Sequence, residues 1–180
     1  MIKEEVTIKS EKIYEGKILN LRVDTIELPD KRYSKREVVE HSGGVGVIAI
    51  TEDDKIILVN QFRKAVNKAL LEIPAGKLEI NEQPKETAIR ELKEETGYSC
   101  DDASFLANFY PTPGYCSEKI HVFFAKNLRA GQQDLDEHEI IDVVEIPFDE
   151  AYEKVLNGEI VDGKTIIGIL LAKLERDRNA

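Results

Sequence analysis

The chain has 180 residues, 42% of them hydrophobic, which suits a single domain with a full core. Its 35 Asp and Glu outnumber 25 Lys and Arg, and the net charge of −10 argues against a nucleic-acid or anionic-membrane partner, since both demand a basic surface. The longest apolar stretch, Gly43 to Ile50, is far too short to span a bilayer, and the opening Met-Ile-Lys-Glu-Glu-Val is no signal peptide. Cys100 and Cys116 form no disulfide framework and suggest reduced thiols, so a cytoplasmic location is expected.

Short strands dominate the first part of the chain. Val6 to Lys9, Ile18 to Leu28 and Tyr33 to Glu40 read as strands, with a turn at Pro29-Asp30-Lys31. The Gly43-Gly44 pair punctuates the chain and divides it into an N-terminal antiparallel strand region, 1–42, and a main domain, 43–180. Gly46 to Thr51 and Lys55 to Phe62 flank a turn at Glu52-Asp53-Asp54, and Leu70 to Ile73 leads into Pro74-Ala75-Gly76. A helix follows from Pro84 to the glycine at 97. Ala103 to Phe109, Ile120 to Ala125 and Asp142 to Ile146 are further strands. Two closing helices run from about Pro147 to Leu156 and from about Lys164 to Arg176. Strands broken by a few helices predict an α/β (α+β) fold, a mixed sheet sandwiched by helices.

The Pro84 helix carries the chemistry. Glu91, Glu94 and Glu95 stand at i, i+3 and i+4 and share one face. Like charges at that spacing destabilise a helix by ~0.2–0.5 kcal/mol per pair, so the cluster calls for a cation. Clustered carboxylates without thiols or paired histidines favour Mg²⁺, with Mn²⁺ possible, over Zn²⁺. His41, His121 and His138 are scattered and read as structural or surface residues, and Cys116, with no His/Asp constellation beside it, reads as a bystander, not a nucleophile. Pro84 suits the first helical turn and Gly97 the left-handed position after the last. Ala88, Ile89, Leu92 and Thr96 form an apolar stripe that would set the acids along the seam between helix and core. Arg90, four residues from both Glu86 and Glu94, can brace an acid on either side.

The full pattern has Gly76, Glu82, Arg90, Glu91, Glu94, Glu95 and Gly97 at fixed spacing, with Leu92 in an aliphatic slot and Tyr98 in another usually aliphatic one. It resembles the Nudix box, and the chain resembles a Nudix hydrolase, which implies a Nudix-type α/β/α sandwich. The resemblance also implies metal-dependent hydrolysis of a nucleoside diphosphate linked to a further moiety. Glu91 and Glu95 would then be metal ligands with the Ala75 carbonyl, and Glu94 a third ligand or an acceptor behind them. Glu82 and Arg90 would orient the loop and helix.

Outside the box, Tyr110-Pro111-Thr112-Pro113-Gly114-Tyr115-Cys116-Ser117-Glu118 resembles the sugar-recognition segment of the ADP-ribose pyrophosphatases, with Gly114 in its turn and Glu118 aimed at ribose hydroxyls. Gln61-Phe62-Arg63 and Ser34-Lys35-Arg36-Glu37 resemble the subfamily's phosphate-contacting strand end and its N-terminal nucleotide-contacting stretch. By that resemblance Arg36, Glu37 and Arg63 bind substrate. The acidic loop from Asp134 to Glu139 resembles the subfamily's mobile loop, with Glu137 as general base and Glu139 as a further metal ligand. The subfamily's adenine-stacking aromatic is missing after Gly16, where Lys17 and Ile18 stand, which leaves Tyr14 or Tyr33 for that role. The implied reaction splits ADP-ribose into AMP and ribose 5-phosphate in a homodimer. Hydrolysis of another nucleotide sugar, a dinucleotide or an oxidised nucleotide remains open, as does a non-catalytic nucleotide-binding module.

Overall fold

The computed structural model describes residues 4–79 and 81–179. The first three residues of the N-terminal stretch read above for a targeting signal lie outside the described residues. Among the described residues, no helix is long and apolar enough to cross a membrane. The chain forms two compact units: Met1–Gly43 with Tyr110–Lys119, and Gly44–Phe109 with Ile120–Ala180.

The first unit is an antiparallel meander of β1 (Val6–Glu15), β2 (Leu19–Glu27) and β3 (Tyr33–His41). Lys31, with φ 68°, closes the β2–β3 turn, where the Lys31 N–H donates to the Leu28 carbonyl. β1 continues to Glu15, well past the expected end at Lys9. Its register against β2 shifts twice, and all ten residues are exposed. Alternating charges (Lys9, Glu11, Lys12, Glu15) blunt this edge and hide the strand from an apolar-pattern reading. Residues 110–119 lie on the outer edge of β3: the Val39 N–H donates to the Tyr115 carbonyl (2.8 Å), and the Ser117 N–H to the Val39 carbonyl (2.9 Å).

The second unit contains β4 (Gly44–Ala49), β5 (Lys55–Arg63), β6 (Lys68–Glu72), β7 (Ala75–Lys77), α1 (Pro84–Thr96), β8 (Ala103–Phe109), β9 (Ile120–Ala125), β10 (Ile141–Pro147), α2 (Phe148–Leu156) and α3 (Gly163–Asn179). Its strands make a mixed sheet, β7-β4-β9-β8, and an antiparallel sheet, β10-β5-β6; β4 and β9 run parallel. All six β4 residues are buried, and the strand sends alternate residues to opposite faces. Val45, Val47 and Ala49 join Ala88 and Leu92 of α1, while Ile48 joins Phe148 and Ala151 of α2 and Ile169 and Ala172 of α3. Ile57 and Phe123 face the α1 side; Ile56, Leu58, Val122 and Phe124 face the α2–α3 side. The result is the α/β/α sandwich. Each large apolar side chain buried here stabilises the fold by about 1.5–3 kcal/mol. β7 forms where only a lead-in loop was expected: Ala75 and Gly76 pair with Gly46 and Val45, which fixes the start of the box against the central strand.

Candidate active site

The box helix is held in place from both ends. Pro84 opens it, and Gly97 (φ 76°) closes it with its N–H on the Lys93 carbonyl. Thr87, Ala88, Leu92 and Thr96 are buried, with Ile89 half-buried beside them. Glu95 sits on the same seam, only 3% exposed, while Glu91 and Glu94 are half-buried. The Ala75 N–H donates to Glu95 Oε2 at 2.8 Å, tying the acid to β7. Burial pushes the Glu95 carboxyl up to about 8; the Ala75 N–H opposes this, the charges of Glu91 and Glu139 add to it, and Arg63 pulls the other way. Glu91 is also raised, mainly by burial, against the pull of Arg90 and with Glu94 and Glu139 adding to the rise. A Cβ on Gly76 would lie 1.9 Å from Glu91 Cδ, so this position must be glycine for Glu91 to stand where it does.

Arg90 organises the remaining acids. Its Nε and Nη2 donate to the two oxygens of Glu82 (3.0 and 3.1 Å), and its Nη1 donates to Glu91 (3.0 Å) and Glu94 (2.7 Å). Its partner toward the helix start is therefore Glu82, not the expected Glu86. The loop before the helix brings Glu82 back over the arginine, and a bidentate fork outcompetes a single i,i+4 contact.

Arg63, at the end of β5, makes a second fork. Its Nε and Nη2 each donate to an oxygen of Glu72 at 2.7 Å. Glu72 is 1% exposed, and Lys164 Nζ also holds it. Lys164 Nζ in turn donates to Asp162 Oδ2 (3.0 Å); Thr165 Oγ1 donates to the same oxygen (2.6 Å) and accepts from the Ile73 N–H (2.8 Å). Burial by itself would raise the Glu72 carboxyl, but Arg63 and Lys164 outweigh it and hold the group below its ordinary value. Sequence reasoning read Glu72 only as part of residues 71–76, a segment resembling the subfamily's lead-in to the box, and gave it no role; it missed Asp162 and Lys164. The one local signal was an acid inside the apolar run Leu70–Ile73.

The acidic loop is rooted on α1. Asp134 N–H donates to the Glu94 carbonyl (3.0 Å) and Gln133 Nε2 to the Glu95 carbonyl (2.6 Å), satisfying two carbonyls that the helix end leaves without partners. The backbones of Gly97 and Gly131 meet there, and a Cβ on Gly131 would lie 2.8 Å from the Gly97 oxygen. Glu139 is half-buried, and its charge acts on both Glu91 and Glu95. Glu137 is exposed.

The other site residues lie in the first unit. Arg36 forks onto Glu5 (3.0 and 2.5 Å) and donates to Ser34 Oγ, while Glu37 is exposed on β3. Glu118 is half-buried, with one oxygen 3.6 Å from His41 Nδ1. That ring nitrogen accepts from the Gly43 N–H. Gly114 is exposed, with open space where a Cβ would stand. Tyr14 folds over Gly16, while Tyr33 is 65% exposed.

The donor set suits a hard divalent cation. Glu91, Glu95 and Glu139 are oxygen donors, with the charge of Glu139 raising both Glu91 and Glu95, and the Ala75 carbonyl belongs to the strand that Glu95 holds. Among the described residues, no three acidic, His or Cys side chains already converge as a finished ion cage.

The comparisons with known proteins agree with this geometry. The model described as "NUDIX domain" matches residues 40–166, and that of the "Nucleoside diphosphate sugar hydrolase N-terminal domain" matches residues 5–39. A Bacillus methanolicus protein named methanol dehydrogenase activator is 46% identical over 96% of this chain and 94% of its own. The ADP-ribose pyrophosphatase of Bacillus subtilis (strain 168) is 44% identical with the same coverage. The crystal structure of an ADP compounds hydrolase superposes with a TM-score of 0.88 at 19% identity, covering 100% of this chain and 98% of that one. With Glu91, Glu94 and Glu95 gathered on a box helix and a domain match across residues 40–166, the chain belongs to the NUDIX-domain family.

Proposed function

We propose that this protein is a metal-dependent hydrolase that cuts the pyrophosphate bond of ADP-ribose to give AMP and ribose 5-phosphate. The observation that carries the reading is Glu95, a buried carboxyl pushed up to about 8 beside Glu91 and Glu139, which makes sense as a cation ligand. The substrate is supported by relatives named ADP-ribose pyrophosphatase, at 44% identity in Bacillus subtilis and 37% in Mycobacterium tuberculosis.

Glu91, Glu95, Glu139 and the Ala75 carbonyl would hold the ion, Mg²⁺ in our reading, with Mn²⁺ able to replace it. When bound, it neutralises phosphate oxygens and makes water a competent nucleophile. The chain's own groups do the rest. Arg90 holds Glu91 and Glu94 in register through Glu82. Gly76 lets the backbone approach Glu91. Arg63 offers positive charge to the diphosphate. Exposed Glu137, on a loop rooted at α1, takes the proton from the attacking water. Arg36, Glu37, Gly114 and Glu118 recognise the nucleotide and sugar, and residues 1–42 serve in substrate contact and dimerisation. The exposed apolar side chains of β1 (Val6, Ile8, Ile13, Tyr14) suit a homodimer, which we assign to the cytoplasm.

The test is a hydrolysis panel of ADP-ribose, GDP-mannose, a dinucleotide and an oxidised nucleoside triphosphate, with and without Mg²⁺. Metal-dependent turnover fastest on ADP-ribose, lost in Glu95→Gln, supports the reading. Negligible ADP-ribose turnover beside strong GDP-mannose turnover overturns the specificity, and full activity in Glu95→Gln removes that residue from the mechanism.

A further inference from the structure

We propose that Glu72 is a positioning residue: it locks the Arg63 guanidinium so that its free edge faces the diphosphate. The inference rests on the reading above that Arg63 contacts substrate, and it assigns the residue that makes such contact specific.

Arg63 and Glu72 are not cross-strand neighbours. Val59 faces Glu72, and Arg63 stands four ladder positions further along β5, facing Lys68. At ~3.3 Å per residue this is roughly 13 Å of strand, so both side chains must reach out fully to meet. Positions four apart on a strand share a face, which makes the meeting possible. They meet as a fork, through Nε and Nη2, the geometry that fixes a guanidinium plane as well as its position. Nη1 is left outside the fork. Glu72 is 1% exposed while the Arg63 side chain is 40% exposed, so the fork fixes the buried edge and leaves the other to solvent.

Position and cost favour a functional reading. The chain itself joins the fork to the acid cluster: Ala75, whose N–H donates to Glu95 Oε2 at 2.8 Å, follows Glu72 by three residues. A buried carboxylate held only for stability is a poor investment, because well-packed apolar residues commonly do as well. This one is kept ionised by two cations, Arg63 and Lys164, and Lys164 is balanced by Asp162. Glu72 is therefore fixed independently of Arg63, and a fixed anion can hold Arg63 in one orientation. It lies three residues before Ala75, so the device that aims the arginine and the backbone that meets the acids are one short segment.

The experiment is a double-mutant cycle of Glu72→Gln, Arg63→Ala and the double variant, assayed with ADP-ribose and Mg²⁺, with Arg63→Lys and Phe148→Ala alongside. Glu72→Gln should raise KM about tenfold while kcat changes far less, the scale expected for losing charge-assisted hydrogen bonds. The double variant should have the KM of Arg63→Ala, since Glu72 acts only through the arginine. Arg63→Lys, which keeps the charge and leaves Glu72 paired with Lys164, should raise KM like Glu72→Gln, because a single ammonium cannot hold Glu72 and reach phosphate together. Phe148→Ala, in the core on the α2–α3 side, breaks no bond to Glu72, Lys164, Asp162 or Arg63, so it should lower the melting temperature without moving KM. The positioning role is overturned if Arg63→Ala raises KM while Glu72→Gln and Arg63→Lys leave it unchanged, or if the KM effects of Glu72→Gln and Arg63→Ala multiply. An unchanged KM in Arg63→Ala instead overturns the underlying reading that Arg63 touches substrate.

Discussion

Replacing Glu95 by Gln should abolish catalysis and, in chelator, make the protein more stable. Folded Glu95 holds its proton up to about pH 8, whereas in the unfolded chain it ionises near 4.5. Between those values the unfolded state has released a proton that the folded state keeps. The stabilising contribution is therefore complete below pH 4.5 and is lost as pH rises toward 8. At pH 7 about 2.5 pH units have been crossed, each worth about 1.4 kcal/mol, so the wild type carries a penalty of about 3 kcal/mol. Gln is neutral, nearly isosteric and still accepts from the Ala75 N–H, so Glu95→Gln escapes this penalty. For a chain of this size, that corresponds to a melting temperature about 6–12 °C higher. The assay is urea unfolding of both proteins in EDTA at pH 5, 6, 7 and 8. The gap should be smallest at pH 5, widen by about 1.4 kcal/mol per pH unit to pH 7, and widen more slowly as pH approaches 8. Mg²⁺ should reverse the ranking by stabilising only the wild type. A variant less stable than wild type at pH 7, or a gap that ignores pH, would refute the reasoning.

Further predictions concern the scaffold around the acids. Gly76→Ala places a methyl 1.9 Å from Glu91 Cδ, so the protein should fold but lose at least about tenfold in kcat as Glu91 is displaced; wild-type kinetics would remove the need for glycine there. Gln133→Ala strips a hydrogen bond from the Glu95 carbonyl and should cost about 1 kcal/mol in urea unfolding. It should also speed hydrogen exchange at the Asp134 amide, whose bond to the Glu94 carbonyl forms the same root. Phe148→Ala, at a fully buried position remote in role from the acids, should lower stability by about 3–5 kcal/mol and leave kcat unchanged below the melting transition.

The box helix was legible because its signals are local. Its start at Pro84, the left-handed glycine at 97 and the burial of Ala88, Leu92 and Thr96 all follow from helical periodicity within one segment. The same periodicity put Glu95 on the buried seam. β4 and β9 were legible as continuous apolar runs because helices cover both faces of their sheet. The edge of β1 was not, since its exposed residues carry no burial pattern.

The partners of the site's charges were harder to read because they come from distant segments. Lys164 reaches Glu72 across 92 positions, and Gln133 reaches the Glu95 carbonyl across 38. Arg90 could be given helical partners from spacing, but Glu82 lies before the helix, where spacing says nothing about approach. Likewise the lie of residues 110–119 along β3 depends on a parallel pairing between Val39 and Cys116 that no turn signal announces. Of the two loop acids, sequence could not tell which acts on the box helix; the charge of Glu139 raises both Glu91 and Glu95.

The most direct test of the central claim is a titration of chelator-treated wild type, Glu91→Gln and Glu95→Gln with Mn²⁺, following the free-ion signal by electron paramagnetic resonance. The account predicts saturable binding by the wild type and at least about tenfold weaker binding by both variants, with each variant still folded. Superimposable isotherms for all three proteins would contradict it.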